Sequence, residues 1–167
     1  MKIIVQLALL ALLLPALCHS EENRQHQVEQ AQSVIAPLSP ELQQLFSREM
    51  RELQNGMRAL VPLYVAGKLD DIATIATQME NSYVLKQNLT GSQMHELHEK
   101  LPAAFIKQDQ QFHYLAGMLE HVANAGKTEL VGFYISKMLE TCVACHTAYA
   151  TNRFPALSPK SQAEHNH

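Results

Sequence analysis

Between residues 42 and 61 the apolar side chains Leu42, Leu45, Phe46, Met50, Leu53, Met57, Leu60 and Val61 return at intervals of three and four. On an α-helix that spacing gathers them into one stripe, and such a stripe has to be buried against another element. The chain carries three more. Ile72, Ile75, Ala76, Met79, Tyr83 and Val84 mark the second, and Phe105, Ile106, Phe112, Leu115, Ala116, Leu119, Val122 and Ala123 the third. Leu130, Tyr134, Met138, Cys142, Cys145 and Tyr149 mark the fourth. No stretch alternates as a strand would. Four amphipathic helices joined by short turns predict an all-α fold, an antiparallel four-helix bundle over residues 39–155.

Local signals set the expected helix ends. Ser39 is placed to cap the first helix, with Pro40 and Glu41 suited to its opening turn. Pro62 is expected to kink or end that helix, and Gly67 to stop what remains. Asp70 and Thr128 are the expected caps of the second and fourth helices; Pro102 falls where a helix begins and Gly126 where one stops. The turn "NLTGS" precedes a short helical piece at 93–100, and Pro155 is expected to end the last helix.

The first 20 residues stand apart. Lys2, the apolar run "IIVQLALLALLL" and the small-residue segment "PALCHS" predict a secretory signal peptide over 1–20. Cleavage after Ser20 and cleavage after Cys18 both fit, and a lipidated Cys18 is a third outcome. The apolar run is short for a membrane span, so the mature protein is expected in the periplasm and not as an integral membrane protein. Residues 21–38 read as a mobile polar arm and 156–167 as a polar tail. The formal charge of −3 becomes one unit more negative when Lys2 leaves, which presents no basic face to nucleic acid. Cys18 leaves with the same segment, so every remaining thiol is Cys142 or Cys145.

Those two residues belong to "CVACH", a C-x-x-C-H motif closed by His146. A redox dithiol of the thioredoxin kind expects a strand before it and a helix N-terminus to lower the thiol pKa, whereas this motif lies late in a predicted helix. Structural zinc needs four ligands. The nearest candidates for a second pair are His95 and His98 of "MHELH", and no further cysteine exists to join them. Covalent haem uses every part of the motif: thioether bonds from Cys142 and Cys145, and the His146 imidazole as axial ligand to iron. The spacings i, i+3 and i, i+4 place all three on one helix face. Export agrees, because c-type haem is attached outside the cytoplasm.

With "FIKQDQQF" in the third helix, "NAGKTEL" before the fourth, "CVACHTAY" itself and the "AGK" closing the first, the chain resembles the cytochrome c-prime family, including its low-spin c-556 branch, over residues 39–153. The resemblance implies one haem c and a monohaem electron carrier working with a redox partner protein rather than an enzyme. It also implies that a residue on the first helix faces the open side of the iron, and that position falls on Met50. Met50 would give His/Met ligation; Met57, which shares its face, is a second candidate. With no protein ligand, the alternative is a five-coordinate high-spin protein binding NO or CO at a vacant distal site. The family often pairs through its first helices, which implies a homodimer. Two features depart from the pattern: Ala150 stands where a basic residue usually follows the haem-binding His, and Phe46 where an Arg is common. The expected propionate contact is then Arg153, Arg48 or Arg51, or no salt bridge at all.

Other residues carry less. His95, His98, His113 and His121 read as solvated or core histidines rather than a second metal centre, since no Glu-x-x-His pair occurs in the chain. No Ser/His/Asp or Cys/His constellation stands out, so no enzyme activity is expected. Gly117 and Gly132 fall inside predicted helices, where they would permit close helix contact or leave room beside a porphyrin.

Overall fold

The computed structural model describes residues 33–158. The expected signal peptide at 1–20 with its cleavage sites, residues 21–32 of the expected arm, and the end of the expected tail lie outside the described residues. Among the described residues the chain is all-α, with five α-helices and no strand. They are α1 (Pro40–Val65), α2 (Leu69–Asn81), α3 (Gly91–Lys100), α4 (Ala103–Asn124) and α5 (Thr128–Tyr149). Single 3₁₀ turns occur at Val84–Lys86 and Pro155–Leu157.

Two identical tripeptides make the tight connections. Ala66-Gly67-Lys68 ends α1 and Ala125-Gly126-Lys127 ends α4, each with its glycine at positive φ, 66° and 68°. The amide of Gly67 bonds the Tyr64 carbonyl and that of Lys68 the Leu63 carbonyl; Gly126 to Ala123 and Lys127 to Val122 repeat the pair. These are Schellman closures, which satisfy carbonyls the helix end would leave orphaned. Because each lysine closes one helix and precedes the next, the following helices start earlier than expected. Lys68 and Lys127 occupy the N-cap positions, and the expected caps Asp70 and Thr128 sit inside the first turn. Asp70, Asp71 and Glu129 there favour the positive end of the helix dipole.

Pro62 lies inside α1, which runs on to Val65 and stops at the Gly67 turn. Other boundaries differ from expectation. Pro155 does not end α5: the helix stops at Tyr149, and Pro155 opens the later 3₁₀ turn. Residues 33–38 are not a free arm, since Leu38 is buried, Val34 and Ile35 pack on the core, and the Val34 amide bonds the Tyr149 carbonyl at 3.2 Å. Ser39 does stand at the N-cap of α1, but its side chain makes no cap bond; its amide donates to Glu96 of α3 at 2.6 Å. That contact ties the start of α1 to α3. α3 carries a capping box, Thr90 with Gln93, and begins at Gly91 rather than 93.

Helix α4 is central, packing along both α2 and α5, while α1 lies on α2 and meets α5 more sparingly. The apolar interior has two parts. One joins Leu53 and Leu60 of α1, Ile72 and Met79 of α2, Phe112 and Leu119 of α4, and Ile135 and Met138 of α5. The other joins Leu38, Leu42, Phe46, Val84, Leu97, Leu101 and Phe105. Burying one such side chain contributes about 1.5–3 kcal/mol, which explains why α3 and residues 33–38 are drawn in. Gly132 is where α1 and α5 come close: a Cβ there would stand 2.6 Å from the Tyr64 hydroxyl. That space is filled by Tyr64, and the corresponding space at Gly117 by the Glu80 carboxylate, so neither glycine leaves room for a flat ligand.

Candidate functional site

The last two turns of α5 carry Cys142, Cys145 and His146, all half-buried, with both thiols free of any disulfide. Cys142 packs on the first apolar core and Cys145 on the second, so the motif spans the seam between them. Burial raises the pKa of both thiols. Cys145 is pushed up to about 12 by burial first, and then by the negative charge of Asp109 and by Cys142. Cys142 is raised by burial alone.

His146 is held from outside the helix. Its ring stacks on Phe154, centroids 4.3 Å apart and planes 12° apart. Burial lowers its pKa, and the nearby charge of Arg153 lowers it further, which favours the neutral imidazole. Leu139 and Val143 lie within about 60° of His146 around the helix. Both are about half exposed, at 49% and 50%. Two half-exposed aliphatic side chains thus border the imidazole.

Met50 and Met57 of α1 are partly buried against the same core as Cys142. Phe46 is buried in the second core, edge-to-face with Phe105 at 5.9 Å. Arg153 is the basic residue whose charge reaches His146. Arg48 and Arg51 instead line a cleft with Gln93 of α3, and Arg48 lies about 160° around α1 from Met50.

At the same seam two helices bring together titratable residues that the motif does not announce. Glu49 of α1, and Asp109 and His113 of α4, are buried to 2%, 7% and 2% exposure. His113 Nε2 is 3.1 Å from Glu49 Oε1 and 3.8 Å from Asp109 Oδ1. Its Nδ1 lies 2.8 Å from the Met79 carbonyl of α2. Glu49 Oε1 also accepts from the Val84 amide at 3.0 Å, and Tyr83 stacks on the imidazole at 4.6 Å. Asp109 is pushed up to about 7, mainly by burial and next by the charge of Glu49, with His113 offsetting part of the rise. An Asp and a His four residues apart on one helix face could have been read from α4; Glu49 joins them only through the packing of α1 on the interior.

The site geometry bears on the competing uses of the motif. A reactive dithiol needs lowered thiol pKa values, and these are raised. Among the described residues, the only His/Cys/Asp/Glu group of three with ligand atoms within 4.8 Å of one another is Glu49, Asp109 and His113. Cys142, Cys145 and His146 do not converge in that way, and His95 is an exposed partner of Glu99. A cleft of about 810 Å³ opens between α1 and α2, lined by Arg48, Glu49, Glu52, Thr77, Met79 and Val84 among others, and reaches Glu49 rather than the cysteines. No helix among the described residues is long and apolar enough to cross a membrane. Comparison with protein-family models, with curated proteins and with solved structures finds no match for this chain.

Proposed function

We propose that this chain is a monohaem c-type cytochrome of the c-prime kind, exported to the periplasm, whose α1, α2, α4 and α5 form an antiparallel four-helix bundle around one haem c, and that it carries electrons for a redox partner protein. The observation that carries the reading is the disposition of "CVACH" on α5. Two unpaired sulfurs and an imidazole share one side of the helix, half-buried, next to the half-exposed aliphatic side chains Leu139 and Val143.

The donor set fits the group. Cys142 and Cys145 are protonated thiols in apolar surroundings, suited to forming stable thioethers rather than to thiol exchange. His146 favours its neutral form, which a metal ligand requires, and Phe154 holds the ring plane. Leu139 and Val143 offer the apolar contact that a porphyrin face buries. Met50 borders the same core as Cys142 and is the residue we assign to the sixth position of the iron. Arg153 is the remaining candidate for the propionates. Bound there, haem would supply a one-electron Fe(III)/Fe(II) couple, and a Met50 thioether as ligand would raise its potential.

The test of this ligation is the absorption spectrum of the purified protein, ferric and ferrous, with and without CO. The expected result is a low-spin spectrum indifferent to CO that turns high-spin and CO-reactive in Met50→Ala. A wild-type ferric spectrum that is already high-spin, with ready CO uptake, would remove Met50 from the iron and favour the gas-binding alternative.

A further inference from the structure

The buried group at the seam is unbalanced as a set of side chains. A carbonyl can only accept, so the 2.8 Å contact to Met79 makes Nδ1 of His113 the N–H donor. In the neutral ring Nε2 is then a lone pair, and it faces two carboxylates at 3.1 and 3.8 Å. The first separation is within hydrogen-bonding range, yet an N–H on Nε2 would not point at Glu49 Oε1. Nε2 and Glu49 Oε2 both remain buried without a hydrogen-bond partner. Two buried carboxyl groups and one imidazole thus leave polar atoms unsatisfied, and a proton on Nε2 would still lack a well-aimed acceptor.

We propose that Glu49, Asp109 and His113 form a second metal centre, a mononuclear site for a divalent first-row cation of the Zn²⁺ class. One imidazole nitrogen and two carboxylate oxygens are a donor set that such a cation accepts. Ligands about 2.0–2.2 Å from a metal lie roughly 3–3.5 Å apart, close to the separations already present. The surroundings are those of a metal ligand shell. The Nδ1–H to carbonyl bond fixes the tautomer that frees Nε2, and the Val84 amide orients the Glu49 carboxylate. The cleft between α1 and α2 is lined by Glu49, and a cation would enter from that side. Three protein ligands leave a coordination position for water, as in zinc sites that bind a further ligand. The site uses none of the atoms assigned to haem and stands or falls separately from that assignment.

The test uses the full-length exported protein, treated with a chelator and then exposed to Zn²⁺, with zinc counted against protein and its X-ray absorption edge recorded. The expected result is one zinc per chain, a nitrogen/oxygen shell containing one imidazole and no sulfur, and affinity at least tenfold weaker in Asp109→Asn and in His113→Gln. Failure to retain one zinc per chain, sulfur in the zinc shell, or undiminished binding by the two folded variants would each overturn the proposal. If a variant does not fold, as judged by circular dichroism, the wild-type edge spectrum decides alone. Haem is read independently from its visible bands, so loss of one assignment leaves the other measurable.

Discussion

Phe154 lies face to face with His146, with ring planes 12° apart and centroids 4.3 Å apart. Phe154 belongs to the segment after α5, and its amide bonds the Ala150 carbonyl. The residues beyond the last helix therefore help to aim the imidazole that the proposed function needs.

Replacing that ring should be felt locally and measurably. Aromatic pairs of this kind contribute about 0.5–1.5 kcal/mol beyond the area they bury. Phe154→Leu is expected to lower the urea unfolding free energy by about 1 kcal/mol at unchanged m-value, followed by circular dichroism. An unchanged midpoint would mean that the stack contributes nothing to holding His146.

Asp109 gives the chain a pH dependence with a definite sign. Its folded pKa is raised from 3.8 to about 7, so across that window the folded chain keeps a proton that the unfolded chain has lost. Stability from this group is therefore full below the lower value and is lost as pH rises through the upper one, at up to about 1.4 kcal/mol per pH unit. With a chelator present, urea midpoints of wild type should fall relative to those of Asp109→Asn as pH rises from about 4 to about 7. A difference that stays flat over that range would contradict the buried acid.

The Schellman turns predict opposite outcomes for two glycines. Gly126 has φ of 68°, which costs an L-residue about 1–2 kcal/mol, so Gly126→Ala should lower Tm by several degrees. Gly91 opens α3 at ordinary φ with open space around its Cβ position, so Gly91→Ala should leave Tm unchanged or raise it. Thermal melts that rank the two variants the other way would refute the turn assignment.

At Gly132 the contact with Tyr64 sets the sign of the change. Gly132→Ala alone should destabilise, because the new Cβ would stand 2.6 Å from the Tyr64 hydroxyl. In a Tyr64→Phe background the same change should recover up to about 1 kcal/mol of helix propensity. A double-mutant cycle with no coupling would place the two residues out of contact.

Much of this architecture was legible from spacing. The stripes from Leu42 to Leu60 and from Phe105 to Ala123 turn inward as predicted, whereas Val61, expected on the first stripe, is exposed; both "AGK" segments stop a helix where a glycine should. The misread boundaries share a cause: Asp70 and Thr128 look like caps in isolation, but the Schellman lysines before them already serve as the junction. Val34 to Leu38 read as part of a polar arm because of their surroundings, although they are apolar enough to be drawn onto the second core. The "CVACH" motif is readable because its chemistry sits within five consecutive residues. Glu49 and Asp109 are not, because a charged residue in an amphipathic helix is ordinarily solvated, and only the packing of α1, α2 and α4 brings them to His113.

The central claim is that Cys142 and Cys145 hold one haem covalently. The direct measurement is the intact mass of the exported protein under denaturing conditions, in wild type and in the variant with both cysteines changed to Ser. The account predicts the mature mass plus one haem, with the addition mapping to the peptide that contains Cys142 and Cys145 and absent from the double variant. An exported wild-type chain at its unmodified mass, with two alkylatable thiols, would contradict it.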